Sequence, residues 1–233
     1  MGDDDAPLVG VLALQGGFEA HARVLRRLGP TPPRVREVRV PADLEGLDGL
    51  VIPGGESTTM TLGLEREGLA EPLRELCAPP PGGRGVPVLG SCAGLILLDR
   101  EHLGLMDLRA RRNAFGRQTR SFEADVWMRG IADRPAPGVS DPPNPAASDP
   151  PVRPSARPLR GVFIRAPWIE EHGPGVEILA EVDGHPVAAR EGERLAVAFH
   201  AELTPDDRVH RLFLEAVRRR RARDLEALRA STQ

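Results

Sequence analysis

The residues best suited to chemistry lie in a short glycine-rich segment near the middle of the chain. An apolar run at 86–89 leads into Gly-Ser-Cys-Ala-Gly at 90–94, and an apolar helical pattern follows directly. This is the G-x-nucleophile-x-G turn, with Cys92 in the nucleophile position. Such a turn raises its middle side chain at the carboxyl edge of a sheet, and the N-terminus of the next helix favours a thiolate. The segment predicts a nucleophilic thiol; an inert cysteine buried beside a glycine-rich turn is the alternative.

A nucleophilic thiol needs a base, and the chain has six histidines. His200 ends the apolar run 195–199, and Glu202 follows two residues later. On a strand, residues i and i+2 project to the same side, so the carboxylate could orient the imidazole toward the thiol as in a catalytic triad. Taken alone, this spacing is more typical of a surface pair. The other histidines fall in predicted helices or loops, where solvated or capping roles are expected: His21, His102, His172, His185 and His210.

A second glycine-rich turn follows another buried run, at 50–55, and leads into a helical pattern. Glycine allows the backbone to turn its amides inward, so the N–H of Gly55 could bind a developing oxyanion together with the N–H of Ala93. The alternative is a simple turn with Ser57 or Thr58 as the helix N-cap, and both interpretations can hold together.

The elements that must position these residues are predicted from the hydrophobic pattern. Apolar runs alternate with helical patterns in the first half, which predicts an α/β fold with a mostly parallel sheet flanked by helices. The predicted strands of this half are 9–14, 35–40, 47–52 and 86–89, and the helices 18–28 and roughly 57–76. Short strands with turns follow and predict an antiparallel or mixed extension: 122–127, 161–164, 176–182, 186–190 and 195–199, with Asp183-Gly184 as a hairpin turn.

The C-terminal segment predicts a helix. Thr204 offers an N-cap, Pro205 a first helical position, and the acids at 206–207 suit the first turn. The arginines at 218–221 are expected to be a solvated helix end, with a patch for an anionic partner as the alternative.

Composition excludes several kinds of chemistry. The 31 basic and 34 acidic residues give a net charge of −3, which argues against nucleic-acid binding. All of the basic residues are arginine, so a Walker A loop, a lysine Schiff base and a Ser-Lys dyad are excluded. No spacing of His, Cys, Asp and Glu suggests a metal site. The second cysteine, Cys77, has no glycine-rich context, and a packing role is expected for it.

Length and proline content predict one domain over residues 1–233 with an insertion. Nine of the 24 prolines lie within 133–160, a stretch with almost no large apolar residue, which predicts a proline-rich surface excursion. The N-terminus is acidic, and no apolar run approaches the roughly 20 residues that span a bilayer. A soluble, cytoplasmic protein with reduced cysteines and no membrane contact is therefore expected.

The two glycine-rich turns and the histidine–glutamate pair, in their order along the chain, resemble those of the triad-type (class I) glutamine amidotransferases. The domain of that class is a flavodoxin-like or Rossmann-like three-layer sandwich. Seven blocks resemble the glutaminase subunits of pyridoxal 5′-phosphate synthase in particular. The blocks are 10–16, 53–60, 92–98, 102–107, 112–118, 121–125 and 161–167, and with His200-Ala-Glu-Leu at 200–203 the resemblance covers nearly the whole chain. The blocks around Arg112 and Arg165 are more specific than the cysteine turn, which the whole class shares.

The resemblance implies roles for individual residues. Cys92 would be the nucleophile of a glutaminase, with His200 and Glu202 as its partners. The expected contacts with L-glutamine are Gly55, Glu56, Ser57, Arg112, Ile164 and Arg165. It also implies a hetero-oligomer in which ammonia passes to a (β/α)₈-barrel synthase subunit, with no cofactor in this chain. The lack of lysine fits this division of labour, because sugar and aldehyde intermediates held on lysine would belong to the partner.

Two alternatives remain open: a glutaminase that serves another pathway, and a non-catalytic scaffold with the same fold. The sequence also departs from the family pattern. Ala201 replaces a proline between the histidine and the glutamate, Ser91 replaces a threonine before the nucleophile, and Trp168 stands where a histidine is common. The stretch 133–160 is much longer than the usual connection.

Overall fold

The computed structural model describes residues 6–78, 85–115, 121–131 and 157–231. The strands are β1 (Leu8–Leu12), β2 (Arg34–Val38), β3 (Gly49–Ile52), β4 (Val88–Ser91), β5 (Leu108–Arg111), β6 (Ser121–Val126), β7 (Leu159–Ile164), β8 (Trp168–His172), β9 (Glu177–Val182), β10 (His185–Glu191) and β11 (Arg194–Val197). The α-helices are α1 (Phe18–Leu25), α2 (Ser57–Arg66), α3 (Ala70–Cys77), α4 (Ala93–Leu98) and α5 (Arg208–Ser231).

A seven-stranded sheet with the order β2-β1-β3-β4-β11-β10-β9 organises the fold. The first five strands of this order are parallel, and β10 pairs antiparallel with both β11 and β9. Two small antiparallel sheets, β5 with β8 and β6 with β7, are added to it. The predicted α/β class with an antiparallel extension is therefore confirmed. Because β1, β3, β4 and β11 run in the same direction, their carboxyl ends meet at one edge, where α/β proteins place their sites.

Helices cover both faces of the sheet. A Cβ built on Gly49 of β3 would lie 2.5 Å from the Val217 side chain of α5, so this face packs on α5. Three residues later, the Ile52 side chain faces Gly94 of α4. Side chains alternate along a strand, so the two helices lie on opposite faces. Every residue of β3 and β4 is accordingly buried, which is why these strands consist of continuous apolar or small residues.

Several element predictions were wrong in detail. The helix predicted at 57–76 is two helices, because Gly68 adopts φ +67° after α2 and the Leu69 N–H bonds back to the Leu64 carbonyl. Strands β5 and β8 were not predicted; each is four or five residues long and largely polar. The hairpin turn is confirmed, with φ +52° at Asp183 and +75° at Gly184.

The C-terminal helix begins later than predicted. Its first residue is Arg208, with the Asp207 carbonyl accepting from the Arg211 N–H, so Thr204 is not its cap. The arginines at 218–221 are not simply a solvated end, because the helix continues to residue 231. Arg220 donates to the Gly85 carbonyl and Arg221 pairs with Asp48 at 3.1 Å, which ties the helix to loops at the amino ends of the strands.

Part of the predicted insertion lies outside the described residues, as do residues 79–84. Of 133–160, residues 157–160 are described, and the last two already belong to β7. Among the described residues no helix is both long and apolar enough to cross a membrane.

Candidate active site

A cleft of about 380 Å³ opens at the carboxyl edge of the parallel strands. The loops after β1, β3, β4 and β11 supply Gln15, Gly55, Cys92 and His200 to its wall. Residues distant in the sequence therefore meet because the sheet places four strand ends side by side.

Cys92 occupies a sharp turn between β4 and α4. Its φ of +50° and ψ of −103° are rare for a residue with a side chain, and its N–H donates to the Val197 carbonyl at 2.8 Å. The turn is possible because α4 approaches β3 closely: a Cβ on Gly94 would lie 2.1 Å from the Ile52 carbonyl oxygen. The predicted strand-turn-helix arrangement is therefore present, with a strained backbone at the nucleophile position.

His200 and Glu202 are in contact, although not on a strand as predicted. β11 ends at Val197, and His200 precedes a 3₁₀ helix, Ala201–Leu203. The His200 N–H donates to the Val162 carbonyl of β7 at 2.8 Å, which draws the chain away from the main sheet. Nδ1 of His200 lies 2.7 Å from Oε1 of Glu202, so the predicted pairing is observed through a different local geometry.

Electrostatics favour a charged pair. Burial alone would lower the pKa of His200, but hydrogen bonds to Cys92 and Glu202 and the charges of both groups raise it to about 10. Burial would raise the pKa of Glu202, and the hydrogen bond from His200 with the close contact of His21 instead holds it well below its usual range. The carboxylate therefore only accepts, and Nδ1 of His200 is the donor. This leaves Nε2 of the imidazolium to serve the thiol.

The loop after β3 faces the thiol. Gly55 lines the cleft with Ala93, whose N–H, as the first of α4, has no acceptor inside its own helix. A Cβ on Gly54 would lie 2.5 Å from Cε1 of His200, so this position must be small. Gln15 was missed by the sequence analysis. Its side-chain oxygen accepts from the Glu56 N–H at 2.9 Å, which ties the β1 and β3 loops together.

Glu56 caps α2, where Ser57 or Thr58 was predicted to do so. Its carboxylate accepts from the N–H groups of Thr58 and Thr59, and the hydrogen bonds from Thr59 lead in lowering its pKa to about 2. The same carboxylate pairs with Arg112 at 3.0 Å. Glu56 and Arg112, both expected to contact glutamine, thus form an ion pair at the cleft wall. Ser57 is buried beside them.

The segment after β7 forms the opposite wall. The carbonyl of Ile164 lies 3.9 Å from Sγ of Cys92, and Arg165 has a φ of +45°. All of the residues predicted from the resemblance line this one cleft: Gly55, Glu56, Ser57, Cys92, Ala93, Arg112, Ile164, Arg165, His200 and Glu202. Within the described part of the chain, no group of His, Cys, Asp and Glu could hold a metal ion.

Similarity to known proteins identifies the family. A model of the SNO glutamine amidotransferase family matches residues 11–143 and 148–219. The chain belongs to this family. A relative from Parafrankia sp. (strain EAN1pec), named pyridoxal 5′-phosphate synthase subunit PdxT, is 46 % identical over 222 residues, which are 91 % of this chain and 94 % of the relative. The protein of the same name from Streptomyces coelicolor is 43 % identical over 227 residues, 94 % of this chain and 97 % of the relative.

Solved structures agree with this assignment. A glutamine amidotransferase crystal structure is 38 % identical, with a TM-score of 0.70 over 90 % of this chain and 98 % of its own. A putative GMP synthase protein from Thermoplasma acidophilum is 17 % identical with a TM-score of 0.63 over 94 % and 98 % of the two chains, a likeness of fold. The class I glutamine amidotransferase fold expected from the sequence is therefore confirmed.

Two histidines of this amidotransferase are not solvated, contrary to prediction. His21 and His210 are both fully buried and lie 2.9 Å apart, Nδ1 to Nε2. His21 Nε2 lies 3.2 Å from Oε2 of Glu202. The sequence contained no signal for this cluster, because the two histidines are 189 positions apart on α1 and α5.

Three other residues noted in the sequence, His102, Trp168 and Cys77, lie away from the Cys92 thiol. His102 pairs with Asp99, and their hydrogen bond raises the pKa of the imidazole. Trp168, a departure from the family pattern, stacks on His185 with ring centroids 3.6 Å apart. Cys77 is buried at the end of α3, and burial raises the pKa of its thiol to about 12, as suits a packing residue.

Proposed function

We propose that this protein is the glutaminase subunit of a pyridoxal 5′-phosphate synthase. It hydrolyses L-glutamine to L-glutamate and passes the ammonia to a separate barrel-fold synthase subunit. The observation that carries the proposal is the meeting of Cys92, His200 and Glu202 at one cleft, in a chain that belongs to a glutamine amidotransferase family. The relatives named as synthase subunits support the choice of pathway.

The first half of the reaction uses the Cys92 thiolate and the protonated imidazole of His200. The Cys92 thiolate attacks the side-chain amide carbon of glutamine, and the N–H groups of Gly55 and Ala93 bind the oxyanion. Protonated His200 gives its proton to the amide nitrogen. The C–N bond then breaks, ammonia leaves, and a thioester remains on Cys92.

The second half restores the enzyme. Neutral His200 takes a proton from a water molecule, which attacks the thioester carbon. When the C–S bond breaks, glutamate is released and the thiolate and imidazolium are formed again. Glu202 stays ionised throughout and orients the imidazole through Nδ1.

The cleft walls suit a free amino acid. Arg112 can bind the α-carboxylate as a bidentate pair, and Glu56 beside it presents the opposite charge to the α-ammonium group. Backbone groups of Ile164 and Arg165 and the buried Ser57 complete the walls. The site is thus expected to select a zwitterion that carries a side-chain amide.

A reconstitution experiment tests the proposal. With the synthase subunit, wild-type protein should form pyridoxal 5′-phosphate from glutamine, whereas Cys92→Ala should do so only when ammonium is added. A glutamine-analogue electrophile should label Cys92 in the wild type and leave Cys92→Ala unlabelled. Full glutaminase activity without any response to the synthase subunit would favour a glutaminase of another pathway. Absence of labelling and activity would favour a non-catalytic scaffold.

A further inference from the structure

A buried chain of polar groups continues behind Glu202, away from the thiol. His21 on α1 lies 3.2 Å from Oε2 of Glu202, and His210 on α5 lies 2.9 Å from the other nitrogen of His21. Both imidazoles are fully buried, and the Glu202 side chain is 1 % exposed. Burying two imidazoles beside a carboxylate is costly unless they act on one another.

The two carboxylate oxygens of Glu202 have different neighbours. Oε1 accepts from Nδ1 of His200, whereas Oε2 faces Ser91 Oγ and His21 Nε2, each at 3.2 Å. The Ser91 hydroxyl also lies 3.1 Å from the Phe199 carbonyl, so it is shared between two acceptors. His21 is therefore the group that can commit an N–H to Oε2, although the contact lacks the alignment of a full hydrogen bond.

The tautomers follow from the partners. A carboxylate only accepts, so Nε2 of His21 carries a proton. Burial leads in lowering the pKa of His210 to about 3, so His210 is neutral near pH 7. With Nε2 of His21 directed at Glu202 as the donor, its Nδ1 accepts from Nε2 of His210 in the 2.9 Å contact. This leaves Nδ1 of His210 as a bare nitrogen without a hydrogen-bond partner among the described residues.

We infer that His21 is a positioning residue for the catalytic pair, which holds Glu202 through Oε2 while His210 sets the tautomer of His21. The inference rests on the proposed function of Cys92, His200 and Glu202. His21 touches neither the cleft nor the thiol, so it acts through the carboxylate. Its donation keeps Glu202 ionised and keeps Oε1 directed at His200, which a lone carboxylate on a three-residue 3₁₀ helix would not ensure.

Among the residues that the structure describes, few charged or titratable groups face this cluster. His21 is faced by Glu202 from the 3₁₀ helix and by His210 from α5. Glu202 is faced in turn by His200, and the charge of Asp207 acts on His210. A change at His21 is therefore expected to reach the thiol only through Glu202 and His200.

Matched substitutions at His21 test the inference in the complete complex with the synthase subunit. His21→Leu removes the donor, and kcat should fall roughly 10- to 100-fold with KM nearly unchanged, as is usual for partners that orient a catalytic group. Because the His21 donor lowers the pKa of Glu202, the acid limb of the pH profile of kcat should move to higher pH in His21→Leu. His21→Gln keeps an N–H near the same place and should recover most of both effects. His102→Leu, which removes an imidazole paired with Asp99, is the control and should match the wild type.

Two outcomes would overturn the inference. One is a folded His21→Leu protein with wild-type kcat and acid limb. The other is an equal loss of kcat in His21→Leu and His21→Gln with an unchanged acid limb, which would indicate packing alone.

A measurement on the wild-type protein decides the matter if the variants do not fold. Imidazole ¹⁵N NMR shifts should show His21 and His210 protonated on Nε2. A bare Nε2 on His21 would overturn the inference. This readout does not need turnover, so it separates failure of the inference from failure of the proposed function, which would appear as a wild-type complex that hydrolyses no glutamine.

Discussion

Nδ1 of His200 donates to Oε1 of Glu202 over 2.7 Å, and Ala201 alone separates the two residues along the chain. The family pattern has proline at that position, yet the contact is short and Ala201 is buried. The 3₁₀ turn that begins after His200 therefore brings the carboxylate under the imidazole without a proline to restrict the backbone.

The charge of Glu202 should matter more than its shape. Glu202→Gln keeps the size of the side chain but cannot stabilise an imidazolium, so kcat for glutamine should fall roughly 100- to 10,000-fold. Steady-state glutaminase assays with the synthase subunit measure this. Glu123→Gln, at an exposed glutamate of β6 that pairs with Arg160, is the matched control. Wild-type kcat in Glu202→Gln would contradict the assigned role.

Arg112 should control substrate binding. Arg112→Gln removes the guanidinium beside Glu56, and KM for glutamine should rise roughly 10- to 100-fold with a smaller change in kcat, because hydrogen bonds to a charged group are lost. The neighbouring Arg111→Gln is the control, since Arg111 is exposed and pairs with Glu170 instead. Equal KM values for the two variants would argue against a carboxylate contact at Arg112.

The close approach of α4 to β3 should make position 94 intolerant of a side chain. A Cβ there would meet the Ile52 carbonyl at 2.1 Å, so Gly94→Ala should lower the free energy of unfolding by about 1–3 kcal/mol. Denaturant unfolding measures the change. Gly175→Ala is the control, because the nearest atom to its Cβ would be Glu191 Oε1 at 3.8 Å. If both variants unfold at the wild-type midpoint, the packing described for the cysteine turn is wrong.

His210 should make the fold sensitive to mild acid. Burial lowers the pKa of His210 to about 3, whereas in the unfolded chain the pKa is about 6.5. Between these values the unfolded state binds one more proton, so stability falls as pH falls, by up to about 1.4 kcal/mol per pH unit. Unfolding measured from pH 6 to pH 5 should show this slope in the wild type and a shallower one in His210→Gln. His200, with its raised pKa, is protonated in both states below pH 6 and adds little to the slope. Parallel slopes for the two proteins would refute the prediction.

The turn around Cys92 could be predicted from residues that are neighbours in the sequence. The apolar run, the small residues around Cys92 and the apolar helix that follows are adjacent in the chain, and each imposes its geometry on its neighbours through short-range sterics and hydrogen bonding. The parallel sheet was predictable for the same reason, because alternating apolar runs and helical patterns leave few other ways to bury both. Arg112 and Arg165 were assigned to the site because they lie in sequence blocks that resemble the family.

The tertiary structure alone decided what lies behind the triad. Nothing in the sequence around His21 or His210 distinguishes a buried imidazole from a solvated one, since the difference arises when α1 brings His21 to Glu202 and α5 brings His210 to His21. It likewise decided that His200 leaves the sheet, because the acceptor that draws it away is the Val162 carbonyl of a distant strand. Burial and long-range hydrogen bonds depend on which elements meet, and that choice is made by the packing of the whole chain.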